Sequence, residues 1–238
     1  MQKSYIPDLY RFLRDIDRNN NRPWFLEHRA DYDRLRAQWI DDLTSLLGHM
    51  SAWDPAFARI TAQQATYRFN RDTRFSTNKD PYKTYFSAAF GPTGDKNRDA
   101  GYYLHLGPDD TSHGDAIPAG IYAGIYCPDS AILRKLRHAV IDNIEEFTDI
   151  ISEPEFAATF PEWTGTPLKT APKGWPKDHP HIDLLRLTEY GRFHPLSEEF
   201  FTRPDWTAEV SRLFAIARPL VDFLNYSIHE DIDTPSLS

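Results

Sequence analysis

The runs TYFSAAF at 84–90, GYYLHL at 101–106 and AGIYAGIY at 119–126 decide the fold class of this chain. Their apolar residues recur every two positions, a period typical of β-strands. A run upstream, ATYRFNRDTRF at 65–75, has the same period, and residues 189–194 are a further candidate strand. We therefore predict a sheet that lies mainly within residues ~65–126.

One face of the third run alternates small and large side chains. Gly120, Tyr122, Gly124 and Tyr126 share this face, while Ile121, Ala123 and Ile125 share the other. Such alternation is typical of a face that accommodates a close neighbour, either a packed helix or a ligand.

Amphipathic helices are predicted on both sides of the strands, because apolar residues there recur every three or four positions. Asp129 or Ser130 is the predicted cap of the first helix after the strands, and Pro219 predicts a kink or a break in the last one. The predicted helices cover residues 6–16, 23–50, 130–147, 182–187 and 206–224. The order of predicted elements along the chain is helices, then strands, then helices. This order favours an α+β fold with an antiparallel central sheet. We expect a single α+β domain over residues 1–230 and a mobile tail at 231–238.

Composition excludes several classes of protein. The 238 residues include 15 Phe, 12 Tyr and 6 Trp, more aromatics than a disordered chain carries. The single cysteine, Cys127, excludes a disulfide scaffold and a zinc site built from thiolates. No apolar run reaches the roughly 20 residues that a membrane span needs, and charges occupy the N-terminus. We therefore predict a soluble protein of the reducing cytoplasm that does not associate with membranes.

Charge is distributed unevenly along the chain. The net charge is −8, which disfavours nucleic-acid binding unless positive charge gathers locally. It does gather in residues 68–83, RFNRDTRFSTNKDPYK, where five basic and two acidic side chains give +3 and leave −11 for the remainder. On a regular strand, Arg71 would lie on the aromatic face, where burial requires a partner for its charge. Alternatively the strand bends near residues 70–72 and Arg71 reaches solvent.

Three interpretations of this basic segment remain open. In the first it forms a pocket for a small ligand that bears a phosphate or carboxylate, because arginine forks bind such groups with two hydrogen bonds. In the second the same residues form a structural ion-pair network, and the protein acts through partner or nucleic-acid binding. In the third they contact nucleic-acid phosphates directly. The candidate ligand-binding residues are Arg68, Arg71 and Arg74 as forks, Asp72 to orient them, and Lys79, Tyr82 and Lys83 to close one side.

The same segment resembles the signature of an uncharacterised family, domain of unknown function 2461, also described as conserved hypothetical protein family 02453. Four further stretches carry the resemblance: 21–25, 101–106, 169–186 and 218–220. It covers nearly the whole chain and implies no activity. The chain departs from the family pattern at two places. It has Thr188-Glu189 where the family carries a lysine, and at 119–121 the family is richer in glycine than this chain.

Several secondary candidates lie outside the basic segment. His105 is either a general base or a satisfied sheet residue. The run DHPHID at 178–183 is either a metal site or a helix start capped by Asp178, and we favour the helix start. The remaining candidates are Lys169 and Lys173, which can reach an anion or remain solvated, and His179, His181, Asp183 and Arg186.

No motif predicts a cofactor or a resident metal. A nucleophile elbow, a phosphate-binding loop and a dinucleotide fingerprint are all missing, and Cys127 is interpreted as a small apolar residue. The sequence therefore assigns neither catalytic residues nor an oligomeric state.

Overall fold

The computed structural model describes residues 4–91, 99–110 and 118–230. Contacts between residues divide the chain into two compact units. Unit 1 takes its described residues from 4–91, 102–110, 118–122 and 194–215, and unit 2 takes the rest. The single domain stays a prediction, and the tail at 231–238 lies outside the described residues. No helix in the described ranges is long and apolar enough to cross a membrane.

Four antiparallel strands form the sheet. They are β1 (Phe86–Phe90), β2 (Gly101–Leu106), β3 (Gly120–Ile125) and β4 (Tyr190–Pro195), in the order β1-β2-β3-β4. The strands predicted at 84–90, 101–106, 119–126 and 189–194 are confirmed to within two residues at each end. The α+β class with an antiparallel sheet between helices is therefore confirmed.

The described residues also form eleven α-helices and one 3₁₀ turn, at Pro55–Arg59. The helices are α1 (Ile6–Arg18), α2 (Arg22–Glu27), α3 (Arg29–Ser51), α4 (Ala62–Ala65), α5 (Ser130–Asp142), α6 (Ile144–Ser152), α7 (Pro154–Thr159), α8 (Ile182–Leu185), α9 (Glu198–Thr202), α10 (Trp206–Ile216) and α11 (Arg218–His229).

Local capping explains where these helices begin and end. Asp129 caps α5 by accepting hydrogen bonds from two backbone N–H groups, as predicted. Of the kink or break expected near Pro219, the structure has the break, because α10 ends at Ile216 and Pro219 lies in the first turn of α11. The single helices predicted over 23–50 and 130–147 are wrong. The first divides at His28, whose ring stacks on Trp24. The second divides at Asn143, whose backbone angles are not helical.

The strand predicted at 65–75 is also wrong. Residues 66 and 70 make only isolated bridges, and the chain reverses between residues 72 and 80. The two arms of this reversal are joined by backbone hydrogen bonds from Arg71 N to Pro81 O and from Lys83 N to Phe69 O, both 2.9 Å. Side chains that bond to nearby backbone compete with a continuous strand here, because Asp72 accepts from Arg74 N and Asn78 accepts from Asp80 N. The bend near residues 70–72 was the alternative left open by the sequence.

Unit 1 buries one face of β1 and β2 against aromatic side chains of its helices. Trp39 of α3 packs edge-on against Phe86, and Phe214 of α10 lies 4.9 Å from the ring of Tyr102. Phe69 joins this core, 4.9 Å from the ring of Tyr32. The opposite face of the two strands is more polar: Ser87 lies opposite His105 there, and Ala89 lies opposite Tyr103.

Unit 2 has its own core around Phe147, Tyr190 and Trp163. Gly124 of β3 has a φ of +130°, and a Cβ atom there would come within 2.2 Å of the Tyr190 carbonyl oxygen. The neighbour accommodated at Gly124 is thus the backbone of an adjacent strand, rather than a helix or a ligand.

Candidate functional site

The basic segment separates into an outward and an inward group. In the outward group the guanidinium of Arg74 donates to both oxygens of Asp72, at 3.0 and 2.7 Å, and Arg68 lies 3.7 Å from the same carboxylate. Hydrogen bonds from Arg74 lower the pKa of Asp72. The side chains of Arg68 and Arg74 are 69% and 77% exposed, so this is a surface ion-pair cluster of small energetic weight.

Two further predicted residues serve the local structure of the hairpin. The Lys79 ammonium is exposed and donates to the Thr73 carbonyl at 2.9 Å. The Tyr82 ring is buried and stacks on Phe25 at 4.2 Å. The Tyr82 backbone is held from both sides by Asn20, which accepts from its N–H and donates to its carbonyl, each at 3.0 Å. Tyr82 therefore anchors the hairpin to the segment before α2.

The inward group lines a cavity of about 30 Å³. This volume holds about two water molecules, so it admits part of a ligand's charged group rather than a whole metabolite. Among the described residues that line it, Arg71 and Lys83 are cationic and Asp80 is the only acid. The remaining lining residues are Asn20, Tyr82, Thr84 and Tyr85.

Lys83 has an unusual environment for a lysine. Its side chain is half-buried, and its Nζ lies 5.2 Å from the ring centre of Tyr67 and 5.4 Å from that of Tyr85. In the described part of the chain no hydrogen bond or ion pair reaches this ammonium. Burial lowers the pKa of Lys83, and the positive charges of Arg68 and Arg71 lower it further.

His105 lies beside this lysine, on the polar face of β2. It is 2% exposed, its ring is 4.3 Å from that of Tyr85, and its Nδ1 is 3.1 Å from the Tyr103 hydroxyl. Burial lowers the pKa of His105 to about 4, with a smaller contribution from the charge of Lys83. The imidazole is therefore neutral near pH 7. We call Lys83, His105 and the tyrosines around them, Tyr67, Tyr85 and Tyr103, the Lys83 site.

The structure thus brings together Lys83 and His105, which the sequence offers only as separate candidates. The three tyrosines were not among the predicted site residues. The sequence holds a signal for one of them, because a strand at 101–106 places Tyr103 two positions from His105 and therefore on the same face. Tyr67 and Tyr85 could be found only from the pairing of the strands and the path of the hairpin.

A larger cavity in unit 1, of about 210 Å³, contains a cation that is already neutralised. Its Arg14 guanidinium lies 2.9 Å from Glu198 and 3.1 Å from Asp110. The lining also includes Asp109. Acids therefore outnumber bases among the described residues of this cavity, and it offers no attraction to an anion.

Family membership follows from comparison with known proteins. The family model described as conserved hypothetical protein (DUF2461) matches residues 8–223. The chain belongs to the DUF2461 family. No curated protein and no solved structure shows significant similarity to it.

The secondary candidates of this DUF2461 chain at 169–186 lie in unit 2. Lys169 and Lys173 are exposed. His179 Nδ1 accepts from the backbone N–H of His181, which is the residue preceding α8, so the prediction that Asp178 caps this helix is wrong. In the described ranges no three histidine, cysteine or acidic residues are placed to hold a metal.

Two charged residues at α8 also have structural contacts. The Arg186 Nε donates to the Leu168 carbonyl, while the side chain of Asp183 is 95% exposed, 3.9 Å from Arg186.

Cys127 is exposed, and its thiol lies 3.7 Å from the carboxylate of buried Glu189. Cys127, interpreted from the sequence as a small apolar residue, thus lies at an exposed turn after β3, which its positive φ of 46° marks.

Proposed function

We propose that unit 1 binds a small anionic ligand, bearing a phosphate or a carboxylate, at Lys83 and Arg71. One observation carries the proposal: a half-buried ammonium beside two guanidiniums makes no hydrogen bond or ion pair with an acid among the described residues, although Asp80 lines the same cavity. A charge in such a place costs free energy unless a group of opposite sign approaches it. An anion would supply that group.

The geometry limits how the ligand would bind. The cavity of about 30 Å³ takes only oxygens of the acidic group, so the remainder of the ligand would lie outside it. Arg71 would contribute a planar fork and Lys83 a point charge. Arg68, although it belongs to the outward group, adds long-range attraction, whereas Arg74 and Asp72 are paired with each other, Lys79 is bound to the Thr73 carbonyl, and these three take no part. That outward cluster favours the alternative of a structural ion-pair network.

Calorimetric titration with inorganic phosphate tests the proposal. Wild type is compared with Lys83→Met, which keeps the length of the side chain but removes its charge, and with the matched control Lys79→Met. We expect binding to wild type and to the control, and affinity about tenfold to a hundredfold weaker for Lys83→Met, as for the loss of one charged hydrogen bond. Equal affinity in all three proteins would refute the site.

A second arm uses small carboxylates in place of phosphate. A ligand present at 100 times its Kd should stabilise the folded protein by about 2.7 kcal/mol. If neither phosphate nor any carboxylate changes the unfolding temperature at millimolar concentration, the anion pocket is rejected. Binding of nucleic acid that weakens with salt would then favour the alternative function. The cytoplasmic location remains part of this proposal.

A further inference from the structure

The environment of Lys83 is suited to a neutral amine as well as to a cation. The residues that face its Nζ come from three parts of unit 1: Tyr67 after α4, Arg68 and Arg71 in the hairpin, and Tyr85 and His105 in or beside the strands. These residues are neutral or positive near pH 7, and among the described residues that line the adjoining cavity Asp80 is the only acid. The tyrosine faces attract an ammonium only weakly, which does not replace a carboxylate.

A pair of proton-transfer groups lies next to this amine. Tyr103 and His105 are joined by a 3.1 Å contact between hydroxyl and Nδ1, and Tyr85 packs against the His105 ring while also contacting Lys83. A neutral imidazole can accept a proton at one nitrogen and donate one from the other. A desolvated lysine beside other cations, with a general acid–base at hand, is the arrangement that supports covalent catalysis on carbonyl compounds.

We propose that Lys83 forms a reversible imine with an aldehyde or ketone whose acidic group is held by Arg71. This inference rests on the anion site proposed above and names its substrate class, an oxo acid or a phosphorylated carbonyl compound. The Arg71 fork would hold the acidic group and bring the carbonyl carbon to the amine, which raises their effective concentration.

The step balances without any further reagent. The Lys83 lone pair attacks the carbonyl carbon, a C–N bond forms, and the carbonyl π electrons move to oxygen, which takes up a proton. The resulting carbinolamine loses water when a second proton is delivered to its hydroxyl, and the C=N bond forms as the C–O bond breaks. Both protons of the neutral amine leave nitrogen, one as the carbinolamine forms and one as the imine forms. The Tyr103–His105 pair would pass each of them to the departing oxygen, the imidazole accepting at one nitrogen as it donates from the other.

Reductive trapping tests this inference on the wild-type protein. Glyoxylate, which joins an aldehyde to a carboxylate, is added with cyanoborohydride at pH 7.5, and peptide mass spectrometry measures modification at each lysine. Lys79 is the internal reference, because it lies in the same segment and is exposed. We expect Lys83 to be modified about tenfold faster than Lys79, because Arg71 in the same cavity lining holds the carboxylate beside the amine, and burial favours the neutral form of that amine. Equal rates at the two lysines would overturn the inference.

Comparison with a neutral aldehyde tests whether the acidic group of the substrate directs the reaction to Lys83. Acetaldehyde lacks the carboxylate, so we expect its ratio of Lys83 to Lys79 modification to be smaller than that of glyoxylate, and phosphate to protect Lys83 against glyoxylate. An identical ratio for the two aldehydes would also overturn the inference. Phosphate binding measured by calorimetry distinguishes failure of this inference from failure of the anion site. If phosphate binds but Lys83 is not trapped, the imine is rejected and the anion site is retained. If phosphate does not bind, the anion site is rejected as well.

Discussion

Acidification should destabilise this protein through His105, by an amount that follows from its burial. The residue is 2% exposed, and its pKa falls from 6.5 to about 4 on folding. Below pH 6.5 the unfolded chain therefore binds a proton that the folded chain does not bind until about pH 4. Each pH unit of this difference corresponds to about 1.36 kcal/mol, so the free energy of unfolding should fall by about 3 kcal/mol between pH 7 and pH 4 from this group alone.

The measurement is urea unfolding followed by tryptophan fluorescence at several pH values across this interval. His105→Gln removes the titrating group and keeps a side-chain acceptor for the Tyr103 hydroxyl. Other titrating residues are common to both proteins, so the difference between their unfolding free energies isolates His105. We expect wild type to lose about 3 kcal/mol relative to His105→Gln as the pH falls from 7 to 4.

Two results would contradict this reasoning. Parallel curves for wild type and His105→Gln would show that the imidazole is protonated as readily in the folded chain as in the unfolded one. A larger loss in the variant would show that His105 is charged and stabilising. The exposed His49, replaced by Gln in the same way, controls for the loss of an imidazole as such. A neutral His105 is also the form that proton transfer at Lys83 requires.

Three further predictions concern the stability of the fold and are measured by chemical denaturation. Phe69→Ala should cost about 3–5 kcal/mol, because the ring is 4% exposed inside an aromatic cluster, whereas Phe75→Ala, at a ring 95% exposed, should change stability by less than about 0.5 kcal/mol. Gly124→Ala should prevent folding, because its Cβ would lie 2.2 Å from a carbonyl oxygen. Gly174→Ala, at a φ of +93° in open space, should lower the free energy of unfolding by only about 1–2 kcal/mol. Comparable losses of stability in the two variants would contradict the close approach at Gly124. Asn20→Ala should cost about 1–3 kcal/mol, because it removes both hydrogen bonds to the hairpin backbone, and a smaller loss would show that the buried aromatic ring holds the hairpin alone.

Periodicity and local signals in the sequence were sufficient for most of the architecture. The alternation at 101–106 predicted β2 with the correct bounds, and Asp129 and Pro219 marked helix ends that the structure confirms. The density of positive charge at 68–83 and the resemblance to DUF2461 could also be seen from residues alone. These features depend on interactions between residues close along the chain, which is why sequence reasoning reached them.

The composition of the candidate site depended on the tertiary structure. Nothing local to residues 68–83 indicates that Arg74 turns outward to Asp72 while Lys83 turns inward toward Tyr67 and Tyr85. That outcome follows from the chain reversal at 72–80 and from the packing that surrounds it. His105 lies more than twenty positions from Lys83, and only the β1–β2 register and the hairpin's path bring them together. A pattern of neighbouring residues determines a helix or a strand. The groups that surround a charged side chain are set by contacts between segments distant along the chain, and those contacts exist only once the chain has folded.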